Sequence, residues 1–132
     1  MIIYTDGALA TSTKQGGIAF VVIKDGEKIH SHFDGVKNTT NNRTEILAAA
    51  EAIQWLINNN YKGATIITDS MYVIGTMSMN WKRKKNIDLW LLMDELIDKV
   101  SITWKHVKGH DGDKWNEYCD TLAVHGSHLK LE

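Results

Sequence analysis

Proline is absent from this chain of 132 residues, and cysteine occurs once, as Cys119. A single cysteine cannot form an internal disulfide, so a packed core must hold the fold, and a chain of this length can bury roughly two-thirds of the surface that it exposes when unfolded. Because disulfides are typical of oxidising compartments, we expect a reducing, cytoplasmic location. No proline-rich linker or repeat divides the sequence, so we expect one domain over residues 1–132.

Long apolar runs and net charge are also scarce. The longest apolar runs are far short of the roughly 20 residues that a membrane span needs, and the N-terminus lacks the basic segment of a secretion signal, so we expect no membrane partner. The formal net charge is only −1, so the overall field does not indicate a nucleic-acid-binding protein. The basic residues are nevertheless uneven, and the densest group is Trp81-Lys82-Arg83-Lys84-Lys85.

Hydrophobic periodicity predicts an α/β fold with the element order βββαβααβα. The predicted elements are strands at residues 1–5, 17–23 and 27–33, a long helix from 41 to the asparagines at 58–60, a strand at 64–68, a short helix after it, a helix at 89–100, a strand at 102–107 and a helix at 113–125 that Gly126 ends. The Asp25-Gly26 pair predicts a hairpin between the second and third strands. The fourth strand is short, apolar and flanked by helical patterns, which is typical of a buried parallel strand.

Four acidic residues occupy special positions in this scheme: Asp6 at the end of the first strand, Glu45 near the start of the long helix, Asp69 at the end of the fourth strand and Asp120 within the last helix. Ligands of open α/β sheets bind beyond the carboxyl ends of the strands, so Asp6 and Asp69 would face one site if their strands are neighbours. Two carboxylates in one place repel each other unless one is protonated or a cation neutralises them. Oxygen ligands favour Mg²⁺ or Mn²⁺ over zinc, and four acids balance two divalent ions about 3.5 to 4 Å apart, an arrangement suited to phosphoryl displacement.

Each of these acids also has an ordinary structural interpretation. Asp69 with Ser70 is typical of a turn or helix cap, and Glu45 in the first turn of a helix is favoured by the helix dipole whether or not it binds metal. Asp120 fits such an interpretation least, because it lies beside the apolar face of its helix and four residues after Asn116. No single acid decides between the two interpretations.

Four segments together resemble the motif set of the type 1 ribonuclease H family. They are Tyr4-Thr5-Asp6-Gly7-Ala8, Thr39-Thr40-Asn41-Asn42-Arg43-Thr44-Glu45, Thr68-Asp69-Ser70-Met71-Tyr72-Val73, and Val107-Lys108-Gly109-His110 followed by Asn116-Glu117-Tyr118-Cys119-Asp120. The resemblance implies a ribonuclease H-like fold, in which a five-stranded mixed sheet combines an antiparallel meander with two parallel strands and the first strand is central beside the fourth. It also implies endonucleolytic cleavage of the RNA strand of RNA–DNA hybrids, which leaves 3′-hydroxyl and 5′-phosphate ends.

Carried over residue by residue, the resemblance makes Asp6, Glu45, Asp69 and Asp120 the catalytic ligands of two Mg²⁺ ions, with Mn²⁺ as a substitute, and Asp6 the bridging ligand. One ion would orient and deprotonate the attacking water, and the other would stabilise the leaving 3′ oxygen. His110 matches the family's catalytic loop histidine, which assists proton transfer or product release. A histidine in a glycine-containing loop suits that role, although a lone loop histidine is more often a plain surface residue.

The hybrid must be recognised through the 2′-hydroxyls of its RNA strand across the minor groove. By resemblance, the substrate-binding residues are Gly7, Ala8 and Leu9 through their backbone, Thr40 at a DNA phosphate, Asn41 and Asn42 against the hybrid, Trp81 at a deoxyribose, Lys82 and Arg83 along the phosphates, and Met71 and Asn116. Segment 39–42 also suits simple helix capping, and a basic run also suits a solvated loop. Met71 stands where family members commonly have a glutamine that reaches a base edge, and methionine cannot donate that hydrogen bond.

The basic helix that many bacterial members insert after the tryptophan-rich segment, called the handle, is absent or reduced to the loop at 82–86. With fewer phosphate contacts we expect weak, distributive binding that depends steeply on salt. The starting methionine and the complete motifs favour a stand-alone, monomeric ribonuclease H over the ribonuclease H domain of a reverse transcriptase. A catalytically silent nucleic-acid-binding module would not need the four acids and His110, and a DNA resolvase or integrase would share the acids but not Asn41-Asn42 or the loop with His110.

Overall fold

The computed structural model describes residues 1–109 and 112–131. Within them the elements follow the predicted order: β1 (Ile2–Ala10), β2 (Gln15–Lys24), β3 (Glu27–Val36), α1 (Asn41–Asn58), β4 (Gly63–Thr68), α2 (Met71–Ser78), α3 (Ile87–Ile97), β5 (Ser101–His106) and α4 (Lys114–Ser127). The strands form one mixed sheet in the order β3-β2-β1-β4-β5. β1 pairs antiparallel with β2 and parallel with β4, which confirms the expected central position of the first strand beside the fourth.

The β2–β3 hairpin forms where the sequence predicts it. Asp25 and Gly26 have φ angles of 53° and 80°, and the strands resume their pairing at once, with Lys24 opposite Glu27. Positive φ at both turn residues gives the turn a twist that matches the twist of the flanking strands, and aspartate followed by glycine adopts that conformation readily.

The two faces of the sheet pack against different helices. Ile3 and Val22 belong to the core shared with α1, α2 and α3, whereas their neighbours Tyr4 and Val21 belong to the core shared with α4. This alternation follows from the two-residue period of a strand. Asp6 therefore projects from β1 on the same face as Tyr4, toward α4.

The capping interpretations of two segments are confirmed. Thr40 caps α1 by accepting a hydrogen bond from the Arg43 amide at 3.3 Å, and Ser70 caps α2 by accepting one from the Val73 amide at 3.2 Å. Each cap satisfies an amide that the helix itself leaves unpaired. Among the described residues, no helix combines the length and the apolar character that crossing a bilayer requires.

α4 lies against the sheet with backbone touching backbone. A Cβ on Gly17 of β2 would lie 1.8 Å from the carbonyl oxygen of Ala123, and a Cβ on Gly126 would lie 2.3 Å from the carbonyl oxygen of Asp34. The prediction that Gly126 ends the last helix is wrong, because α4 continues to Ser127. Gly126 allows a close approach between a helix and a sheet, and a sequence does not distinguish that need from a helix stop.

β1 is longer than predicted, so the placement of Asp6 at the end of a strand is also wrong. Parallel pairing with β4 stops at Tyr4, opposite Ile67, but β1 continues along β2 as far as Ala10. Aspartate and glycine are depleted in strands, which is why the sequence alone predicts an end there. Asp6 instead projects from a continuous strand just beyond the point where the parallel neighbour ends.

Candidate active site

Three carboxylates from three elements converge beside the end of β4. Asp6 comes from β1, Glu45 from the first turns of α1 and Asp69 from the residue that follows β4, and one oxygen of each lies within 4.8 Å of the others. Asp6 and Glu45 are buried, and Asp69 is partly exposed. The expected neighbourhood of Asp6 and Asp69 is therefore present, just beyond the point where the parallel pairing of β1 with β4 stops.

The amide of Gly7 holds two of these carboxylates. Its N–H donates to Asp6 Oδ1 at 2.9 Å and to Glu45 Oε1 at 2.7 Å. A Cβ on Gly7 would lie 2.3 Å from Thr44 Oγ1, so the absence of a side chain lets α1 approach β1 closely enough to share this amide. Gly7 thus has a packing role that sequence reasoning missed, and its contact with substrate stays a prediction.

Asp120 reaches the same cluster from α4, the helix toward which Asp6 projects. It lies on α4, partly exposed, and its carboxyl contacts that of Asp6 at hydrogen-bonding range. Two carboxyls can share such a contact only when one holds a proton or a cation lies between them. All four acids that the sequence singled out are therefore adjacent, with Asp6 at the centre.

Burial and like charge act together on the protonation of this cluster. Burial, followed by the charges of Glu45 and Asp69, raises the pKa of Asp6 far above its usual range. Burial, followed by the charge of Asp69, also raises the pKa of Glu45, although its contact with Asp6 and the hydrogen bond from the Gly7 amide lower it in part. Without a cation, the folded protein therefore retains protons on these side chains at pH values where the unfolded chain has lost them.

The donor set of this cluster fits a divalent cation. Oδ2 of Asp6, a residue with 2% of its surface exposed, receives no hydrogen bond from the described residues. Oδ1 of Asn116, one helical turn before Asp120, is likewise buried and unpaired. An unpaired buried carboxylate oxygen is costly, and a cluster with carboxylate oxygens alone suits Mg²⁺ or Mn²⁺.

We expect the metal-free protein to lose stability as the pH rises from about 5 to about 8. Asp6 and Glu45 have raised pKa values in the folded state. Their contribution is complete below the unfolded pKa values near 4 and falls as the pH rises toward the folded values, because the unfolded chain releases its protons first. Urea unfolding in EDTA at several pH values measures this slope, and Mg²⁺ should reduce it by binding the ionised cluster.

Asp6→Asn is the control for this pH series. His30, whose pKa is lowered by burial and by His32, acts in the opposite sense near pH 6, so the difference between the two proteins isolates the cluster. The variant should show a flatter dependence than the native chain. Identical slopes would mean that Asp6 carries no extra proton in the folded state.

The predicted contacts at the start of α1 surround a surface cavity. Leu9 and Thr40 line a cavity of about 450 Å³ together with Lys14 and Arg43. Four other predicted contacts are also at least partly exposed. Asn41 and Asn42 are the first two residues of α1, and both are exposed. Ala8 of β1 is partly exposed, and Met71, the first residue of α2, is exposed. Their positions are compatible with substrate contact, which stays a prediction.

Trp81 and its basic neighbours have distinct environments. The Trp81 indole lies on Gly75, where a Cβ would be 2.1 Å from the ring, and the residue remains 45% exposed. Lys82 is exposed. Arg83 instead points back to α3, where its two terminal nitrogens donate to Asp94 at 2.6 and 2.9 Å. The basic run is therefore not a uniform set of solvated side chains.

A hydrogen bond that no sequence motif predicts joins β1, which carries Asp6, to the start of α4, which carries Asp120. Tyr4, two residues before Asp6, donates its hydroxyl to Asp113 Oδ2 at 3.1 Å, and Asp113 Oδ1 accepts from the amides of Trp115 and Asn116 at the start of α4. The strand of Asp6 is thereby tied to the helix of Asp120. Asp113 at a helix N-terminus is a recognisable cap in the sequence, but its distant partner is not.

The predicted catalytic histidine, His110, lies outside the described residues. The described part of its loop ends at Gly109, which lies close to Asp69, because a Cβ there would be 3.1 Å from Asp69 Oδ2. The role of His110 therefore stays a prediction.

The fold and the cluster together define an α/β protein with an oxygen-only site suited to a divalent cation at the carboxyl end of a parallel strand pair. The family model described as RNase H matches residues 1–128. Ribonuclease H from Alcanivorax borkumensis is 37% identical, with 96% of this chain and 90% of that protein covered, and ribonuclease HI from Synechocystis sp. is 36% identical, with 92% and 84% covered. The chain belongs to the RNase H family and is an endoribonuclease of the hydrolase class.

Solved structures show the same fold. The N-terminal RNase H domain of Rv2228c from Mycobacterium tuberculosis superposes with a TM-score of 0.85 at 21% identity, covering 96% of this chain and 91% of that one. RNase H1 from Halobacterium salinarum gives a TM-score of 0.82 at 23% identity, with 95% of both chains covered. The predicted ribonuclease H-like fold with a five-stranded mixed sheet is confirmed.

Proposed function

We propose that this chain hydrolyses the RNA strand of RNA–DNA hybrids by two-metal-ion catalysis and leaves 3′-hydroxyl and 5′-phosphate ends. The observation that carries this assignment is the convergence of Asp6, Glu45 and Asp69 within 4.8 Å in a chain of the RNase H family. The unpaired, buried Oδ2 of Asp6 supports a cation at that point. A silent binding module would have no use for so costly a cluster.

Asp6, Glu45, Asp69 and Asp120 are the proposed metal ligands, with Asp6 shared between two ions. Bound Mg²⁺ or Mn²⁺ would supply an activated water and stabilise the leaving 3′ oxygen. The chain's own contribution is rigid placement: the Gly7 amide fixes Asp6 and Glu45 relative to each other, and the Tyr4–Asp113 hydrogen bond fixes α4 relative to β1. His110, by family resemblance, is the proposed group for proton transfer or product release.

The backbone of β1 favours Leu9 among the predicted backbone contacts to the RNA strand. The carbonyl of Met1 accepts from the Thr65 amide of β4, so the backbone groups of every second residue after Met1 face the β4 side. On that side the Gly7 amide is already engaged by the two carboxylates. β4 does not extend alongside Leu9, which leaves its backbone groups available for a 2′-hydroxyl.

Residues 1–132 form one catalytic domain whose partner is the hybrid, and the active species is a monomer. Asn41 and Asn42 lie about one helical turn before Glu45 and are exposed, which supports contact with the hybrid close to the scissile bond. Thr40 both caps α1 and lines the adjoining cavity, so capping does not exclude a phosphate contact.

Cleavage assays on four end-labelled duplexes test the proposed function. With Mg²⁺ we expect cleavage of an RNA–DNA hybrid, and no cleavage of all-DNA or all-RNA duplexes of the same sequence. A DNA duplex with one embedded ribonucleotide measures how many 2′-hydroxyls recognition needs. Polymerase extension of the RNA fragments reports 3′-hydroxyl ends, and phosphatase-dependent changes in mobility report 5′-phosphates.

The assay has two informative failures. Cleavage of all-DNA duplex would contradict recognition of RNA, and fragments that a polymerase cannot extend would contradict the proposed end chemistry. EDTA in place of Mg²⁺ should stop all cleavage, because the carboxylate cluster alone repels the phosphate that it must process.

A further inference from the structure

We propose that a cavity between β3 and α1 binds a transition-metal dication, with Zn²⁺ as the test ion, through the side chains of His30, His32 and Glu51. We call it the histidine cavity. It has a volume of about 170 Å³, and the rings of Phe20 and Trp55 form its apolar wall. The inference goes beyond the proposed function and does not depend on it, because none of these residues is assigned to hybrid cleavage.

The two histidines lie on the same face of β3, which is an edge strand of the sheet. His32 is opposite Phe20 of β2, and the centres of their rings are 5.6 Å apart. The His30 ring lies 5.7 Å from the same phenyl ring. Both imidazoles therefore face α1, since Phe20 belongs to the core on that side of the sheet. Two residues that are two positions apart on a strand project in the same direction, so one ion can meet both.

A shift in strand register keeps a lysine away from the histidine cavity. In a regular strand, Lys28 would lie on the same face as His30, two residues later. The pairing of β3 with β2 shifts between these two residues, so Lys28 lies opposite Ile23, which belongs to the core on the α4 side. Its ammonium group donates to the Tyr118 hydroxyl of α4 at 3.2 Å. Irregular pairing at a sheet edge redirects side chains, and here it removes a positive charge that would oppose a bound cation.

The three proposed ligands have coordinating atoms that the protein does not use. No side-chain hydrogen bond or ion pair joins any of them to another described residue. The His30 ring stacks on the Trp55 ring, with 5.1 Å between the ring centres and 19° between the planes, and this contact does not engage its nitrogens. Burial and the nearby His32 lower the pKa of His30, so its ring is neutral at neutral pH, the form that binds a metal ion.

The ligands of the histidine cavity select a different class of ion from the carboxylate cluster. Two imidazoles and one carboxylate are a common ligand set of zinc sites that keep a fourth position for water. Imidazole nitrogen suits Zn²⁺, Ni²⁺ and Cu²⁺, whereas carboxylate oxygens alone suit Mg²⁺ and Mn²⁺. We therefore expect the two sites to prefer different ions.

A bound ion has to draw its ligands together. Among the described residues, the only group of three such ligands whose coordinating atoms already lie within 4.8 Å of one another is Asp6, Glu45 and Asp69. His32 and Glu51 are exposed, and exposed side chains change rotamer readily. Because ordering these side chains costs free energy, we expect micromolar affinity, weaker than that of a preformed zinc site. The bound ion would join the edge strand β3 to α1.

Calorimetric titration with Zn²⁺ tests the histidine cavity. Excess Mg²⁺ is present throughout to occupy the carboxylate cluster, and we expect the native chain to bind Zn²⁺ with micromolar affinity. His32→Ala, His30→Phe and Glu51→Gln should each weaken this binding at least about tenfold, because each removes a ligand. Phenylalanine at position 30 keeps a ring against Trp55, and His32 and Glu51 are exposed, so these changes leave the fold intact.

The matched control replaces His125 and His128 together with alanine. Both are exposed histidines at the end of α4, and their removal should leave the affinity for Zn²⁺ unchanged. The inference is overturned if the native chain binds no Zn²⁺, or if the substitutions in the histidine cavity weaken binding no more than this control does. Loss of Zn²⁺ binding in Asp6→Asn would also overturn it, because the ion would then occupy the carboxylate cluster.

Urea unfolding tests the link between β3 and α1. Saturating Zn²⁺ in the presence of Mg²⁺ should raise the urea midpoint of the native chain, because the three ligands come together only in the folded state. The midpoint of His32→Ala should not change. A native chain that binds Zn²⁺ without a rise in its midpoint, or an unchanged affinity in Glu51→Gln, would refute the link.

The two proposals fail independently. If the chain cleaves hybrids with Mg²⁺ but binds no Zn²⁺ through His30, His32 and Glu51, the histidine cavity is refuted and the proposed function stands. If the chain binds Zn²⁺ there but cleaves no hybrid, the proposed function is refuted and the histidine cavity stands.

Discussion

Replacing Asp6 with asparagine should abolish hybrid cleavage while making the metal-free protein harder to unfold. The rate should fall by about a thousandfold or more, because Asp6 is the central carboxylate of the cluster and an amide carries no charge for a divalent cation. The free energy of unfolding in EDTA at pH 7 to 8 should rise, by an amount on the order of 1 to 3 kcal/mol, because the variant removes one of several mutually repelling, buried groups. Single-turnover cleavage and urea unfolding measure the two effects.

Asp25→Asn is the matched control for this experiment. Asp25 is exposed in the β2–β3 turn at a φ of 53°, a conformation that asparagine also adopts readily. It should leave both cleavage and stability nearly unchanged. Loss of cleavage together with loss of stability in Asp6→Asn would indicate a structural role for Asp6 and would contradict its assignment as a metal ligand.

Adding a single methyl group at Gly17 should destabilise the fold more than any other change considered. In Gly17→Ala the new Cβ would lie 1.8 Å from the Ala123 carbonyl oxygen and 2.4 Å from the Ser127 amide nitrogen, and both are backbone atoms of α4 that no rotamer change can move. We expect a loss of about 3 kcal/mol or more, at the upper end of overpacking effects. Urea unfolding followed by circular dichroism measures it, or the variant does not fold.

Gly26→Asn is the control for Gly17→Ala. Gly26 has a φ of 80° in the β2–β3 turn, and a Cβ there would have nothing within 4 Å, so only the preference of asparagine for this conformation matters. The loss should stay below about 1 kcal/mol. A loss in Gly17→Ala as small as the loss in Gly26→Asn would mean that α4 can move away from the sheet at little cost in stability.

The acids of the site could be predicted from the sequence in two ways. The crevice rule for neighbouring parallel strands predicts that Asp69 lies near Asp6, whereas Glu45 and Asp120 are assigned to the site through the resemblance to the ribonuclease H motifs. Hydrophobic periodicity and turn residues gave the order of the elements and the hairpin at Asp25-Gly26. These features depend on residues that are near one another in the chain.

The features that could not be predicted depend on distant contacts. Glycine is typical of turns, but Gly7 and Gly126 each lie within a strand or a helix, where the missing side chain lets another backbone come close. Arg83 looks like its lysine neighbours in the sequence, and only the fold brings Asp94 to its guanidinium. The partner of a side chain is a property of packing, which local propensity does not contain.

Because β4 ends early, part of the edge of β1 is open to strand addition by a second copy of this chain. From Thr5 onward, the edge of β1 that faced β4 has no neighbouring strand among the described residues, and open strand edges recruit strands from other molecules and promote aggregation. Here the beginning of that edge bears the carboxylate cluster, and the Gly7 amide that an incoming strand would need is already occupied. We therefore expect the residues of the proposed active site also to disfavour the addition of a strand from a second copy at this edge.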